Sequence, residues 1–213
     1  MGNLFEYNSP VSKALTNIRY SAYLNILWFI FSIPIFTIGA STTALYSVSL
    51  KIVRNEEGNL TKDFIKSFKQ NFKQSTSVWI ILTLLGTLLL IDGYILYHKG
   101  LDNIFWTILL ASYFVACVAY LLISLYIYPL ISKFENKTLY VFKNALIIGL
   151  RFLMCSAVIT FIHFIIFYTI IFIFTPLIIF GMGITALISS YLMSNIILQC
   201  EQKTKRLDEQ KLV

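Results

Sequence analysis

Charge is scarce in this sequence. Only 13% of the 213 residues are Asp, Glu, Lys or Arg, against 58% hydrophobic, and just 10 are acidic. A water-soluble domain carries roughly twice that charged fraction, so too little polar surface is present to cover one. Several motifs are also missing. There is no G-x-x-x-x-G-K-[ST], so nothing cradles nucleotide phosphates; no H-E-x-x-H and no G-x-S-x-G appears, which leaves metalloprotease and serine-hydrolase chemistry without support. Cysteine is limited to Cys117, Cys155 and Cys200. Each sits in or beside an apolar run, none at metal-ligand spacing, and they read as small apolar fillers. No cofactor or metal and no enzymatic activity is expected. Gly2 is followed by Asn3, Leu4, Phe5 and Glu6, so the hydroxyl residue of a myristoylation motif is absent. The first apolar run follows Lys13 and Arg19 and is too long for a cleavable signal core.

What the chain does have is long apolar runs. Mean hydropathy is +0.77. The runs far exceed the ~10 residues of a barrel strand and lack polar/apolar alternation. The fold class is therefore all-α, a single polytopic transmembrane bundle. Four later spans fall at residues 76–98, 104–131, 152–175 and 177–199, the last two joined by little more than Pro176 as a tight hairpin. The net charge of +7 does not call for nucleic acid, because cationic residues between spans are required for orientation alone.

The first apolar region is ambiguous, too long for one span and short for two of ~20 residues each. Pro34 and Gly39 interrupt it. If the helix begins near Ala14, with Lys13 and Arg19 snorkelling, spans at 14–34 and 36–53 fit. Charge placement supports this. With six spans every Lys and Arg except Lys99 lies on one face of the membrane; with five, Lys13 and Arg19 join Lys99 on the other. The positive-inside rule favours six spans with both termini cytoplasmic in the cell membrane, five being the alternative. The reading is a hairpin broken at Ile33-Pro34. Gly39, Ala40, Thr43 and Ala44 would let its second helix pack closely on a neighbour.

Residues 60–75 contain LTKDFIKSFKQNFKQ. On a helix, Phe64, Phe68, Phe72 and Ile65 share one face; Lys62, Lys66, Lys69 and Lys73 share the opposite one. Such a helix suits the membrane interface, rings toward lipid, or a groove on another subunit. Asn71, at the edge of the aromatic face, should bond a neighbouring helix. Residues 135–151 form a second cytoplasmic segment, with Lys137, Asn144 and Arg151 in a thin polar stripe. Its Phe142-Lys143-Asn144-Ala145 echoes Phe68-Lys69-Gln70-Asn71.

Two ionisable residues lie within spans. His163 is mid-span, a functional candidate by default; the plainer reading is a neutral ring bonded to Ser189 or Ser190. Asp92 lies near the outer end of its span, lining an outward cavity or snorkelling toward Lys99 or His98. Gly183, Ala186 and Ser190 form a small-residue stripe suited to the closing hairpin.

The order of certain residues is informative. Asn8-Ser9-Pro10 precedes Leu24-Asn25-Ile26-Leu27-Trp28. Then come Ser32-Ile33-Pro34-Ile35-Phe36-Thr37-Ile38-Gly39-Ala40, Ala44-Leu45-Tyr46, Arg54-Asn55-Glu56-Glu57-Gly58 and Asp63-Phe64, with Ser67-Phe68-Lys69-Gln70-Asn71-Phe72-Lys73-Gln74. Over residues 8–76 the chain resembles the YesL family of small bacterial membrane proteins. Genes of that family commonly lie beside those of carbohydrate ABC importers. The resemblance implies an accessory subunit, with the permease, the ATPase and membrane lipids as partners. It carries over no catalytic residue. A stand-alone small-solute carrier, using His163 and Asp92, and a membrane assembly scaffold are the alternatives.

Overall fold

The computed structural model describes residues 10–56, 58–99, 103–135, 137–173 and 178–211. Among them are seven helices and no strand. They are α1 (Pro10–Ser32), α2 (Ile38–Val53), α3 (Leu60–Lys99), α4 (Ile104–Ile131), α5 (Thr138–Arg151), α6 (Leu153–Tyr168) and α7 (Ile178–Lys211). A 3-10 turn, Ile35–Thr37, leads into α2, and a π-helical turn, Thr169–Ile173, ends α6. Five segments are long and apolar enough to cross a membrane: Ile35–Val53, Leu60–His98, Ile104–Ile131, Leu153–Ile173 and Gly181–Cys200. That makes a multi-pass membrane protein. Six such spans were expected; α1 has the length but is not among the five. The Pro176 turn lies outside the described residues.

Local chemistry sets the boundaries. Thr37 Oγ1 donates to the carbonyls of Phe31 and Pro34, both at 2.6 Å, which ties off α1 where Pro34 forbids its continuation. α2 ends in a Schellman motif. Asn55 adopts a left-handed φ of 53°, Glu56 N donates to Lys51 O at 2.9 Å and Asn55 N to Ile52 O at 3.1 Å. Asn is among the few non-glycine residues that accept this conformation readily. Asn59 Oδ1 then caps α3 by accepting from Lys62 N at 3.1 Å. Lys51 and Asp63 close the α2–α3 turn with a 3.0 Å ion pair.

α2 is the axle of the molecule. It is enclosed by α1, α3, α4 and α7, and every residue from Gly39 to Leu50 is buried. It is also rich in hydroxyls, which burial would penalise if they lacked partners. Ser41, Thr42 and Thr43 donate back to the carbonyls of Thr37, Ile38 and Gly39. Trp28 Nε1 donates to Thr42 Oγ1 at 3.1 Å, and the Thr43 and Ser75 hydroxyls meet at 2.8 Å. Side-chain-to-backbone bonding of this kind satisfies Ser41, Thr42 and Thr43 away from water, whereas the Ser49 hydroxyl is buried without a hydrogen-bond partner among the described residues. Ala40 and Ala44 are fully buried, and Gly39 lies against α3, where a Cβ would strike the Ser75 carbonyl oxygen and lie 2.6 Å from Trp79 Cβ.

α3 departs from the sequence reading. Residues 60–75 and 76–98 are not an interfacial helix followed by a span; they are one continuous helix. No proline or glycine separates them, so nothing interrupts the hydrogen-bond ladder. Residues 135–151, by contrast, yield the separate helix α5, packed on α4 through Val141, Ala145 and Gly149. The echo between the two segments therefore has no counterpart in the architecture. α7 also differs. Its Gly183 packs against α1, where a Cβ would collide with the Ser21 carbonyl oxygen, and Asn25 Oδ1 accepts from Gly183 N at 3.1 Å. Gly183 of the small-residue stripe thus packs on α1, and Ala186 joins the cluster that α1 and α2 share.

Candidate functional site

The aromatic and cationic faces of α3 have opposite fates. Phe64 is fully buried, and Phe31 of α1 meets it at a ring-centroid distance of 5.5 Å. Phe31 also meets Phe68 at 5.0 Å, and Phe68 meets Phe72 at 5.5 Å. Phe64 therefore fills the seam with α1 and α2, Phe68 packs at its edge against Phe31, and Phe72, partly exposed, meets Phe68 on its own helix. Phe64 packs with Leu24, Leu27, Leu45, Val48 and Ile52. A helical wheel identifies such a face but not what covers it. Lys62, Lys66, Lys69 and Lys73 are all exposed. They line the outside of a rigid, capped helix. Asn71 bonds within α3, its Nδ2 donating to Ser67 O at 3.0 Å and Ser67 Oγ at 3.3 Å, and not to a neighbouring helix.

Beside the lysine row lies a polar cleft of about 570 Å³. Gln70, Asn71 and Gln74 of α3 form one wall; Ser132, Lys133, Phe134, Glu135 and Lys137, between α4 and α5, form the other. Amides, two ammonium groups and a carboxylate together can bind a polar peptide segment or a headgroup. The sequence reading did not assemble this site, because its two walls are some sixty residues apart. The available signals were separate ones, Asn71 within the Ser67–Gln74 stretch and Lys137 in the polar stripe.

Asp92 and His163 are not brought together. Asp92 lines a second cleft of about 370 Å³ between α3 and α4, with Leu89, Trp106, Ser112 and Tyr113. Among the described side chains no cation pairs with its carboxylate, and the side chain of Lys99, its expected partner, lies outside them. His98, proposed as a neutralising partner, instead places Nδ1 3.0 Å from Tyr94 O and stacks between Tyr94 and Tyr97. His163 is half-buried on α6, its Nδ1 2.9 Å from Ile159 O in its own helix, so the anticipated bond to Ser189 or Ser190 is not made. The hydroxyl link near this region is Tyr126 to Ser156, at 2.9 Å. Cys117, Cys155 and Cys200 form no disulfide and are half-buried, and among the described residues no group of His, Cys, Asp and Glu could hold a metal ion.

Comparison with known proteins adds a family likeness. Residues 21–93 match the family described as "Protein of unknown function, DUF624". That match covers α2 entirely, the second half of α1, most of α3, and the whole lysine row. Among curated proteins, the chain is similar to one described as "Uncharacterized protein YteU" from Bacillus subtilis (strain 168), at 27% identity over 139 residues. The alignment takes in 62% of this chain and 60% of that protein. No solved structure matches the chain.

Proposed function

We propose that this chain is a non-enzymatic accessory subunit of a carbohydrate ABC importer, one that takes up oligosaccharides or glycans. It sits in the cell membrane with the lysine row on the cytoplasmic side, as the positive-inside rule requires. The carrying observation is that Phe64 of α3 is buried inside the chain while Lys62, Lys66, Lys69 and Lys73 stay exposed beside the polar cleft. A cationic face on a rigid helix offers a partner electrostatic complementarity rather than an apolar anchor. The permease, and through it the ATPase, is the partner that the likeness to the YesL family supplies. The role is to stabilise or gate the permease.

Charge reversal of the four lysines together is expected to abolish copurification of permease with this chain and to lower sugar uptake. Retained copurification with unchanged uptake refutes the reading. The Asp92 cleft favours a second reading, a stand-alone small-solute carrier. Solute flux through the purified chain in liposomes, lost in Asp92→Asn, would select it.

A further inference from the structure

α3 is too long for the membrane. Its 40 residues extend ~60 Å at 1.5 Å per residue, twice the ~30 Å of bilayer hydrocarbon. Even at a steep tilt of ~40° it would project ~45 Å along the normal. Some of it must lie outside, and the exposed Lys62, Lys66, Lys69 and Lys73 say which part. Beyond Lys73 the helix carries no charge before Tyr97 except Asp92, and after the polar Gln74-Ser75-Thr76-Ser77 its apolar run starts at Val78, so the hydrocarbon begins between Gln74 and Val78.

α2 runs antiparallel to the excluded half. Lys51 pairs with Asp63, Thr43 with Ser75, and Gly39 lies against Ser75 and Trp79. The start of α2 is thus level with Trp79 and its end level with Asp63. Past Trp79, α3 is accompanied instead by α4, with Gly86 against Tyr120 and Gly93 against Tyr113. Only the first turn and a half of α2, about 9 Å at 1.5 Å per residue, rises above Lys73. α2 is apolar and long enough to span, but it lies beside the wrong part of α3 to do so.

The turn between α1 and α2 fits this depth. Ile33, Ile35 and Phe36 are 69%, 69% and 54% exposed. A hairpin that crossed would place these three large apolar side chains in water on the far side. Insertion by ~5–10 Å is typical of elements that lie in the headgroup–acyl boundary. We propose that the α1–α2 hairpin does not cross the bilayer but dips its turn into the leaflet on the lysine-bearing side, with the acyl chains of that leaflet as its partner. This holds whether or not the importer reading does.

Single cysteines at Ile35, Phe36, Lys66 and Tyr97, with the native cysteines changed to alanine, test it in right-side-out and inverted vesicles. All four side chains are exposed, so the substitutions disturb no core packing. Lys66→Cys and Tyr97→Cys should react with an impermeant maleimide from opposite faces. Ile35→Cys should react from the Lys66 face or be shielded from both. A bimane on Phe36→Cys should lose more fluorescence to lipid quenchers near the headgroup than to quenchers at the chain ends. Labelling of Ile35→Cys from the Tyr97 face overturns the proposal, and so does a Phe36 bimane that shallow lipid quenchers leave unaffected.

Discussion

The close approach of α2 to α3 at Gly39 makes a demanding prediction. A methyl group there would strike the Ser75 carbonyl oxygen and lie 2.6 Å from Trp79 Cβ. Neither can rotate away, since one is backbone and the other the root of a side chain. Gly39→Ala must therefore push the helices apart, an overpacking cost in the upper part of the usual range, ~2–3 kcal/mol. Alanine returns ~1 kcal/mol through helix propensity. The net loss is ~1–2 kcal/mol. At ~2–4 °C per kcal/mol for a chain of this size, the melting temperature should fall by ~2–8 °C. Gly86→Ala is the control, because its methyl would meet only the outer end of the Tyr120 side chain, which can turn, with the hydroxyl 2.8 Å and Cζ 3.2 Å away. There the propensity gain should prevail, and stability should hold or rise. Melting in detergent, followed by loss of the monodisperse size-exclusion peak, compares the two. If Gly39→Ala melts no lower than Gly86→Ala, the proposed constraint on the α2–α3 distance is wrong.

Two further outcomes follow from buried contacts. Phe64→Ala should cost ~3–5 kcal/mol, the usual penalty for emptying a fully buried phenylalanine site, measured by the same melting assay; a marginal shift would mean that the ring faces lipid after all. Asn25→Leu removes the acceptor of the buried Gly183 N–H and should cost ~1–3 kcal/mol, with faster hydrogen exchange at the Gly183 amide than in the unchanged chain.

Much of the fold is legible in the sequence because apolar runs declare themselves. α4, residues 104–131, coincides with its observed bounds, since Asn103 and Ser132 flank an unbroken run. The joining of residues 60–75 to 76–98 was less visible. Charged and apolar stretches suggest separate elements, yet helix continuity depends on backbone breakers, and none stands between Lys73 and Trp79. The site was only partly legible. Periodicity separates the phenylalanines from the lysines, but a ring face looks the same whether lipid, a partner or Phe31 covers it. The cleft between Gln70 and Lys137 arises from tertiary packing and leaves no periodic trace.

The enclosure of α2 has a consequence for biosynthesis. One of its walls, against Ala44, Leu45 and Tyr46, is supplied by Ala186 and Leu187 of α7. The ribosome makes that wall after the other six helices, so the early ones must wait, incompletely covered, until α7 arrives. A fragment restricted to residues 21–93 would keep the whole of the matched stretch and still lack that covering, so it should not fold as an autonomous unit.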